Sequence, residues 1–416
     1  MSHQQFGHET WLSKLRDHLK DERYAAGSCR RCLGIGHDFL ACLERQQVEV
    51  GAAQPANVEQ YLQQARRMYR RRHGHLPHYR GWLWIQTSAI HMLLRLVQGH
   101  WPPVSRAATP AEMFRLEICE EYAQWMGSSR GLAQPTVSDR SAEARRFLDW
   151  LGESATREEL ATLSLLEVDA YIKDRSKSMS RRSLKSVSTN IRSLLQWLYI
   201  TGQITQDLSS TVITTSLNVF ESIPSALRVE DVKKVLAVTR RDCTPKGMRD
   251  YAILMLLSTY GVRAGEITAL RLDDVDWRKE VIRIHHSKTG ATSYLPLLPD
   301  VGEAILKYLQ KSRPKTSVRE IFIRCRAPYR PFRDGSSLYG LVQYRLNASG
   351  VTTTGKRGPH AFRHARAVSM LRATVPVKEI GDLLGHRAAD STLIYLKLAT
   401  EDLRAVALEI PTEVNA

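Results

Sequence analysis

The spacing of apolar residues along the first two hundred positions predicts a chain made mostly of helices. Between residues 28 and 44, the apolar side chains share one face of a helix with about 3.6 residues per turn. They are Cys32, Ile35, Phe39, Leu40 and Leu43. Two more amphipathic segments follow before residue 100, around Tyr61-Leu62 and around Ile90.

The same apolar motifs recur in the same order in the second hundred residues. The matching motifs are Phe39-Leu40 with Phe147-Leu148, Tyr61-Leu62 with Tyr171-Ile172, and Ile90, Leu93 and Leu94 with Ile191, Leu194 and Leu195. The offsets of 108, 110 and 101 residues are similar enough to predict two related helical domains. The alternative is coincidence, because amphipathic helices resemble one another.

Two segments rich in proline, serine and threonine divide the chain. The first contains Trp101-Pro102-Pro103 and Thr109-Pro110, and the second spans residues 209–224. Such segments are typical of links between domains. The predicted domains are an additional N-terminal helical domain at 1–105, a second helical domain at 106–212 and a third domain at 225–416.

The hydrophobic pattern changes within the third domain. Residues 250–260 read as an apolar helix, whereas Val281 to His285 alternate as a strand does. Residues 287–291 are typical of a turn, and 293–298 read as a returning strand. The predicted fold is therefore mainly α with a small antiparallel β-sheet in the last domain, an α+β arrangement with Lys288 at the tip of a hairpin.

The charge and composition of the chain indicate what kind of partner the protein binds and where in the cell it is expected. The chain has 60 Lys and Arg against 43 Asp and Glu, a formal net charge of +17. That excess favours a polyanion, with nucleic acid ahead of an anionic membrane. No apolar run reaches the roughly 18 residues of a membrane span. Six cysteines in 416 residues indicate reduced thiols, so the expected location is the cytoplasm.

Basic residues are concentrated in two segments at equivalent positions of the two helical repeats. Serine and tyrosine, which also bind phosphates, accompany them. A solvated helix face is the alternative for either segment alone, but two matching segments favour contact with a DNA backbone. The candidate DNA-binding residues are Arg66, Arg67, Arg70 and Arg71 in the first segment, and Arg175, Lys177, Arg181, Arg182 and Lys185 in the second.

One cysteine pattern has two interpretations. Cys29, Cys32, His37 and Cys42 have a spacing that also occurs in zinc knuckles. A knuckle wraps its metal in an irregular loop, whereas these residues fall within the apolar helical stripe described above. The helix is the favoured interpretation, and no metal site is predicted.

Four motifs in the second half of the chain contain the candidate catalytic residues. They are Gly261-Val262-Arg263-Ala264-Gly265-Glu266, the turn Ser287-Lys288-Thr289-Gly290, His360-Ala361-Phe362-Arg363, and Leu384-Gly385-His386 followed by Tyr395. In order and spacing they resemble those of the tyrosine recombinases, also called phage integrases, over roughly residues 110 to 410. Phe362 stands where leucine is commoner in that family.

The resemblance implies a role for each residue. Tyr395 would attack phosphorus and form a 3′-phosphotyrosine, while Arg263 and Arg363 would neutralise the phosphate. A guanidinium suits that task because its planar fork binds two oxygens and stays charged. A phenol has a pKa near 10, so it needs a base, for which His360 is the candidate.

The remaining candidates assist that reaction. Lys288 would protonate the departing 5′ oxygen, although the nearby His285, His286 and Lys279 leave the hairpin register open. His386 would bind the phosphate or the nucleophile. Glu266 would orient His360 or an arginine. The family's chemistry uses no metal, ATP or other cofactor.

The function predicted from these motifs is site-specific recombination of double-stranded DNA, for integration or transposition of a mobile element. The resemblance implies a core-binding domain at 106–212, a catalytic domain at 225–416, and a tetrameric synapse of this protein or of related recombinases. A tail helix at 401–410 would dock on a neighbouring subunit or on its own domain. Two alternatives remain: a type IB topoisomerase-like nicking-resealing enzyme, and a non-catalytic DNA-binding partner in a multi-recombinase complex.

Overall fold

The computed structural model describes residues 3–77, 79–103, 109–213, 227–287, 290–353 and 357–385. These residues form sixteen α-helices and three β-strands. None of the described helices has the length and apolar content needed to cross a membrane. The chain divides into two compact units, one made of Met1–Pro102 and Ile223–Ala416 and the other of Pro103–Ser222. The predicted class, mainly α with a small antiparallel sheet, is confirmed.

The N-terminal part of the first unit is a bundle of four helices. They are α1 (His3–Asp21), α2 (Ala26–Arg45), α3 (Pro55–His73) and α4 (Tyr79–Gln98), with a 3₁₀ turn at Val50–Ala52. The apolar stripe predicted for residues 28 to 44 lies in α2, and its members Ile35, Phe39, Leu40 and Leu43 are buried in the bundle core. The segment that contains Cys29 to Cys42 is therefore a helix, not a knuckle loop.

The second unit contains five helices. They are α5 (Pro110–Gln124), α6 (Gln134–Leu151), α7 (Arg157–Ala161), α8 (Leu165–Ser176) and α9 (Arg181–Ile200), with a π turn at Trp125–Ser129 and a 3₁₀ turn at Gly152–Ser154. Phe147 and Tyr171 meet edge to face in its core, with ring centroids 5.1 Å apart. In the first bundle, Phe39 and Tyr61 meet in the same way at 5.5 Å. The predicted repeat motifs thus form the same kind of aromatic pair in both units.

The C-terminal part of the first unit surrounds a central apolar helix. Its helices are α10 (Val229–Arg240), α11 (Pro245–Tyr260), α12 (Ala264–Ala269), α13 (Pro299–Lys311), α14 (Ser337–Ala348), α15 (Pro359–Arg372) and α16 (Val377–Leu384), with a 3₁₀ turn at Leu272–Asp274. Residues 252–257 of α11 are buried on all sides, as expected for a helix enclosed by others. Helices α10, α13 and α15 pack against it.

A three-stranded antiparallel sheet lies beside these helices, in the order β1 (Val275–Asp276), β2 (Val281–His285) and β3 (Thr292–Pro296). His285 pairs with Thr292, and Val281 pairs with Pro296. The predicted β2 is confirmed. The returning strand ends at Pro296, two residues earlier than predicted, and the short β1 was not predicted.

A buried ion network joins α11 to α14. The Asp250 carboxylate, fully buried, accepts hydrogen bonds from Arg249 at 2.8 Å and from Nε of Arg345 at 2.8 Å. Arg345 also donates to Asp242 at 2.7 Å. Buried charges are tolerated when they are paired in this way, so the network fixes the two helices relative to each other.

Candidate active site

Arg263 is placed by the turn between α11 and α12. Helix α11 ends at Tyr260 and is followed by Gly261, whose φ of +65° glycine adopts without the penalty that a side chain brings. Arg263 then precedes the first turn of α12, and Glu266 lies one turn later. The Glu266 carboxylate accepts a hydrogen bond from the Arg263 backbone N–H at 2.7 Å and from its Nη1 at 2.9 Å. This carboxylate, 1% exposed, therefore holds both the main chain and the guanidinium of Arg263 in place.

Arg363 comes from α15, about a hundred residues later, and is buried. Its Nη1 donates to the carbonyl oxygen of Gly261 at 2.8 Å, and its Nη2 donates to that of Leu384 at 2.7 Å. The guanidinium thus connects the turn after α11 to the end of α16. A Cβ at Gly261 would lie 2.8 Å from the Leu384 side chain, so these segments pack closely.

The two arginines meet at the C-terminal end of α16. Nη2 of Arg263 donates to the carbonyl oxygen of Gly385 at 2.8 Å, next to the Leu384 carbonyl that Arg363 binds. The last carbonyls of a helix have no partner within the helix, which makes them available to these donors. The two predicted arginines are therefore brought together directly before position 386.

His360 and Glu266 lie on different helices, α15 and α12. His360 is exposed in the first turn of α15, three residues before Arg363, a spacing that places both side chains on neighbouring positions of one helix face. Glu266 binds Arg263, so of its two predicted partners the arginine is in contact. The neighbouring His364 is buried, and its ring lies 6.3 Å from that of His360.

Glu266 has a second partner, His286, which is not among the predicted site residues. Nδ1 of His286 donates to its Oε1 at 2.8 Å, and Nε2 of His286 lies 2.8 Å from Oγ of Ser293. His286 is buried, although it directly follows the exposed His285. The signal was the strand alternation itself: Ile282 and Ile284 face the core, and the same period of two places residue 286 on their side.

Three candidate residues, Lys288, His386 and Tyr395, lie outside the described residues, as does the predicted tail helix at 401–410. The ends of the segment that contains Lys288 are described. The His286 N–H donates to the Ala291 carbonyl, and the Gly290 N–H donates to the His286 carbonyl, both at 2.8 Å. Lys288 at a hairpin tip stays a prediction.

The candidate DNA-binding residues differ in their surroundings. Most are exposed on α3 or around the start of α9, namely Arg66, Arg67, Arg70, Arg71, Arg181, Arg182 and Lys185. Lys177 is also exposed and pairs with Asp174 at 2.9 Å. Arg175 is half-buried, and its Nε donates to the buried Glu143 at 3.1 Å. Arg175 thus has a structural partner within its own domain.

The helices around a small antiparallel sheet, with two arginines from distant parts of the sequence bound at the end of one helix, have the integrase type of fold. Residues 225–402 match the model of the phage integrase family. The putative integrase/recombinase y4gC of Sinorhizobium fredii is 57% identical over 195 residues, which is 47% of this chain and 100% of that protein. The putative integrase/recombinase y4rA of the same organism is 36% identical over 297 residues, 71% of each protein.

A solved structure has the same fold. It is that of the XerH site-specific recombinase bound to palindromic difH substrate in a post-cleavage complex. The match covers 73% of this chain and 98% of that one, with a TM-score of 0.58 and 13% identity. The chain therefore belongs to the phage integrase family, the tyrosine recombinases.

Proposed function

We propose that this protein cuts and rejoins duplex DNA at specific sites through a 3′-phosphotyrosine at Tyr395, and thereby integrates or transposes a mobile element. The observation that carries the proposal is the meeting of Arg263 and Arg363 at the Leu384 and Gly385 carbonyls. Those carbonyls come directly before His386 and about ten residues before Tyr395 in the sequence. A phosphate is a stronger acceptor for two guanidinium groups than a neutral carbonyl is.

The proposed reaction is a reversible transesterification. In cleavage, the Tyr395 oxygen forms a bond to phosphorus and the bond to the 5′ oxygen breaks. His360 takes the phenol proton, and Lys288 gives a proton to the 5′ oxygen. Arg263, Arg363 and His386 bind the non-bridging oxygens, on which charge spreads in the transition state.

Rejoining reverses these steps when a 5′-hydroxyl attacks the phosphotyrosine. The covalent bond to Tyr395 keeps the free energy of the phosphodiester, so the proposed cycle uses neither ATP nor a metal. The protein would act in the cytoplasm on double-stranded DNA. A tetramer of this chain, or of this chain with related recombinases, would hold the two duplexes together.

The helical domains support the DNA-binding part of the proposal. Both contain an aromatic edge-to-face pair at matching motifs and an exposed basic helix segment. We propose that residues 106–212 contact DNA beside the cut site, and that residues 1–105 are a related domain with a second basic surface. The excess of 60 basic over 43 acidic residues agrees with a polyanionic partner.

A trapping assay tests the proposal. Binding to the full-length protein selects target duplexes from a random library, and each selected duplex is then made with a nick at successive positions. When a nick lies close to the cut site, the short strand end diffuses away and the covalent adduct accumulates. Wild type is expected to form an adduct that denaturing gels resolve, and Tyr395→Phe to form none.

Other outcomes separate the alternatives. An adduct with Tyr395→Phe would show that another residue is the nucleophile. No adduct with wild type on any nicked duplex would favour a non-catalytic DNA-binding partner. Relaxation of supercoiled plasmid that lacks a selected site, without strand exchange between duplexes, would favour a topoisomerase-like enzyme.

A further inference from the structure

His286 lies where three chain segments meet and has no part in the proton or phosphoryl transfers proposed above. Its side chain, 2% exposed, contacts α12, β3 and the turn after α16. We propose that His286 is a positioning residue: it holds the turn between β2 and β3, which contains Lys288, in a fixed place relative to Arg263. The inference rests on the proposed function, because it concerns the same reaction.

The two ring nitrogens connect the hairpin to the arginine. Nδ1 donates to Oε1 of Glu266, and the same oxygen accepts a hydrogen bond from Nη1 of Arg263. On the opposite side of the ring, Nε2 bonds with the hydroxyl of Ser293 on β3. Because one oxygen of Glu266 binds both side chains, His286 is held in a fixed place relative to Arg263. Arg263 has two further bonds, from its backbone N–H to Glu266 and from Nη2 to Gly385, which do not involve His286.

The ring also packs against the backbone of Gly385. A Cβ built at Gly385 would lie 2.7 to 2.9 Å from three ring atoms of His286, closer than real contacts allow. The carbonyl of Gly385 is the acceptor for Arg263. His286 therefore binds one partner of the arginine, the Glu266 carboxylate, and packs against the residue that supplies the other, Gly385.

The main chain of His286 closes the turn that follows it. Its N–H donates to Ala291 and its carbonyl accepts from Gly290, so the segment between them is anchored at both ends on one residue. Gly290 has a φ of +69°, a backbone conformation that suits glycine in a tight turn. Lys288 is two residues from this anchor in the sequence.

The expected effect of His286 on catalysis depends on the distance between the general acid and the leaving oxygen. A general acid must come within hydrogen-bond reach of the leaving oxygen, and an error of about 1 Å can lower a rate by about 100-fold. If His286 sets the place of the turn, its loss should impair protonation of the 5′ oxygen. It should leave DNA binding largely unchanged.

A substrate with sulfur in place of the bridging 5′ oxygen provides the decisive readout. A thiol has a pKa of about 8.5, so sulfur leaves as the thiolate without a proton donor. On ordinary nicked duplex, His286→Ala is expected to cleave about 10- to 100-fold more slowly than wild type in a single turnover. The sulfur substrate should restore most of that rate, as it should for Lys288→Ala but not for Arg263→Ala.

Two conservative variants of His286 test whether the two hydrogen bonds of its ring contribute to cleavage. His286→Asn keeps a donor near the position of Nδ1, and His286→Gln keeps a polar atom near that of Nε2. Both are expected to cleave at rates between those of wild type and His286→Ala, and they provide a folded variant if the alanine protein is unstable. The matched control is His285→Ala, since His285 is adjacent but exposed, and it should cleave as wild type does.

Two results would overturn the inference. One is cleavage of ordinary duplex by His286→Ala at the wild-type rate. The other is a defect that persists fully on the sulfur substrate, because that defect would belong to the arginines and not to the turn. Failure of the proposed function is distinguishable, since it does not depend on His286: wild type would form no adduct with either substrate, or Tyr395→Phe would form one as well.

Discussion

The guanidinium of Arg263 donates a hydrogen bond at 2.8 Å to the carbonyl of Gly385, which lies 122 residues later in the chain. The neighbouring carbonyl of Leu384 is bound by Arg363. Both acceptors are backbone atoms, so their positions depend on the conformation of the turn at the end of α16. The side chains at these positions matter only through that conformation and the space they occupy.

Gly385→Ala is expected to impair cleavage. Gly385 has a φ of +63°, which costs a residue with a side chain about 1–2 kcal/mol, and the new methyl group would collide with the His286 ring. Relief of the collision should displace the carbonyl that Arg263 binds. We expect the single-turnover cleavage rate to fall by at least about 10-fold, measured by adduct formation on nicked duplex.

Gly74→Ala is the matched control for that change. Gly74 ends α3 with a φ of +75°, but a Cβ there would have no atom within 4 Å. It therefore carries the backbone penalty without the collision. A similar loss of cleavage in both variants would mean that the packing of Gly385 on His286 does not shape the site.

Arg363→Lys should lower the cleavage rate although the charge is kept. Arg363 reaches the carbonyls of Gly261 and Leu384 with two nitrogens of one planar group, and a single ammonium cannot reproduce that fork. We expect a loss of about 10²- to 10³-fold, comparable to that of a preorganised oxyanion donor. Arg241→Lys, at the exposed end of α10, serves as the control, and a rate equal to that control would contradict the assigned role.

Much of the fold follows from local sequence pattern. The period of 3.6 residues located α2, and the alternation from Val281 to His285 located β2, because each pattern reports which side chains face the core. The short β1 escaped prediction, since two residues show no period. The order of the motifs also indicated that Arg263 and Arg363 act together.

The partners within the site could not be predicted in the same way. Arg345 binds Asp250 across 95 residues, and His286 binds Glu266 across 20, and neither pairing leaves a local signal. His286 could be placed on the core face of its strand by alternation. Its bond to Glu266 depends on how α12 packs against the sheet, which only the folded chain specifies.

Asp250→Asn is expected to destabilise the unit that contains α11. The change removes the charge that Arg249 and Arg345 share inside the protein, and breaking a buried pair costs about 3–5 kcal/mol. Asp273→Asn is the control, because Asp273 pairs with Arg319 at an exposed position where such a pair contributes about 1 kcal/mol or less. Thermal unfolding measures both, and equal shifts in Tm would argue against a structural role for the buried network.

Asp242 should make stability depend on pH in the acid range. The hydroxyl of Thr244, and then the guanidinium of Arg345, hold the pKa of Asp242 below its ordinary value of 3.8. A carboxyl with a lowered pKa stabilises the folded protein above the ordinary value, and that contribution disappears as the pH falls through the folded pKa. The Tm difference between wild type and Asp242→Asn should therefore be constant near neutral pH and shrink below pH 3.8. A difference that grows on acidification would contradict this assignment.

Lys185→Ala should change DNA binding and leave stability unchanged, whereas Arg175→Ala should lower stability. Lys185 is exposed on α9, so loss of the phosphate contact proposed for it should reduce the slope of log K against log salt by about 0.9 and leave the Tm unchanged. Arg175 is held by Glu143, which is 3% exposed and also accepts a hydrogen bond from Tyr171 at 2.6 Å. Its removal leaves a buried carboxylate with fewer donors and should lower the Tm of the second unit. Fluorescence anisotropy over a salt series and thermal unfolding measure the two effects, and a reduced salt slope without a loss of Tm for Arg175→Ala would show that Arg175 contacts DNA and has no structural role.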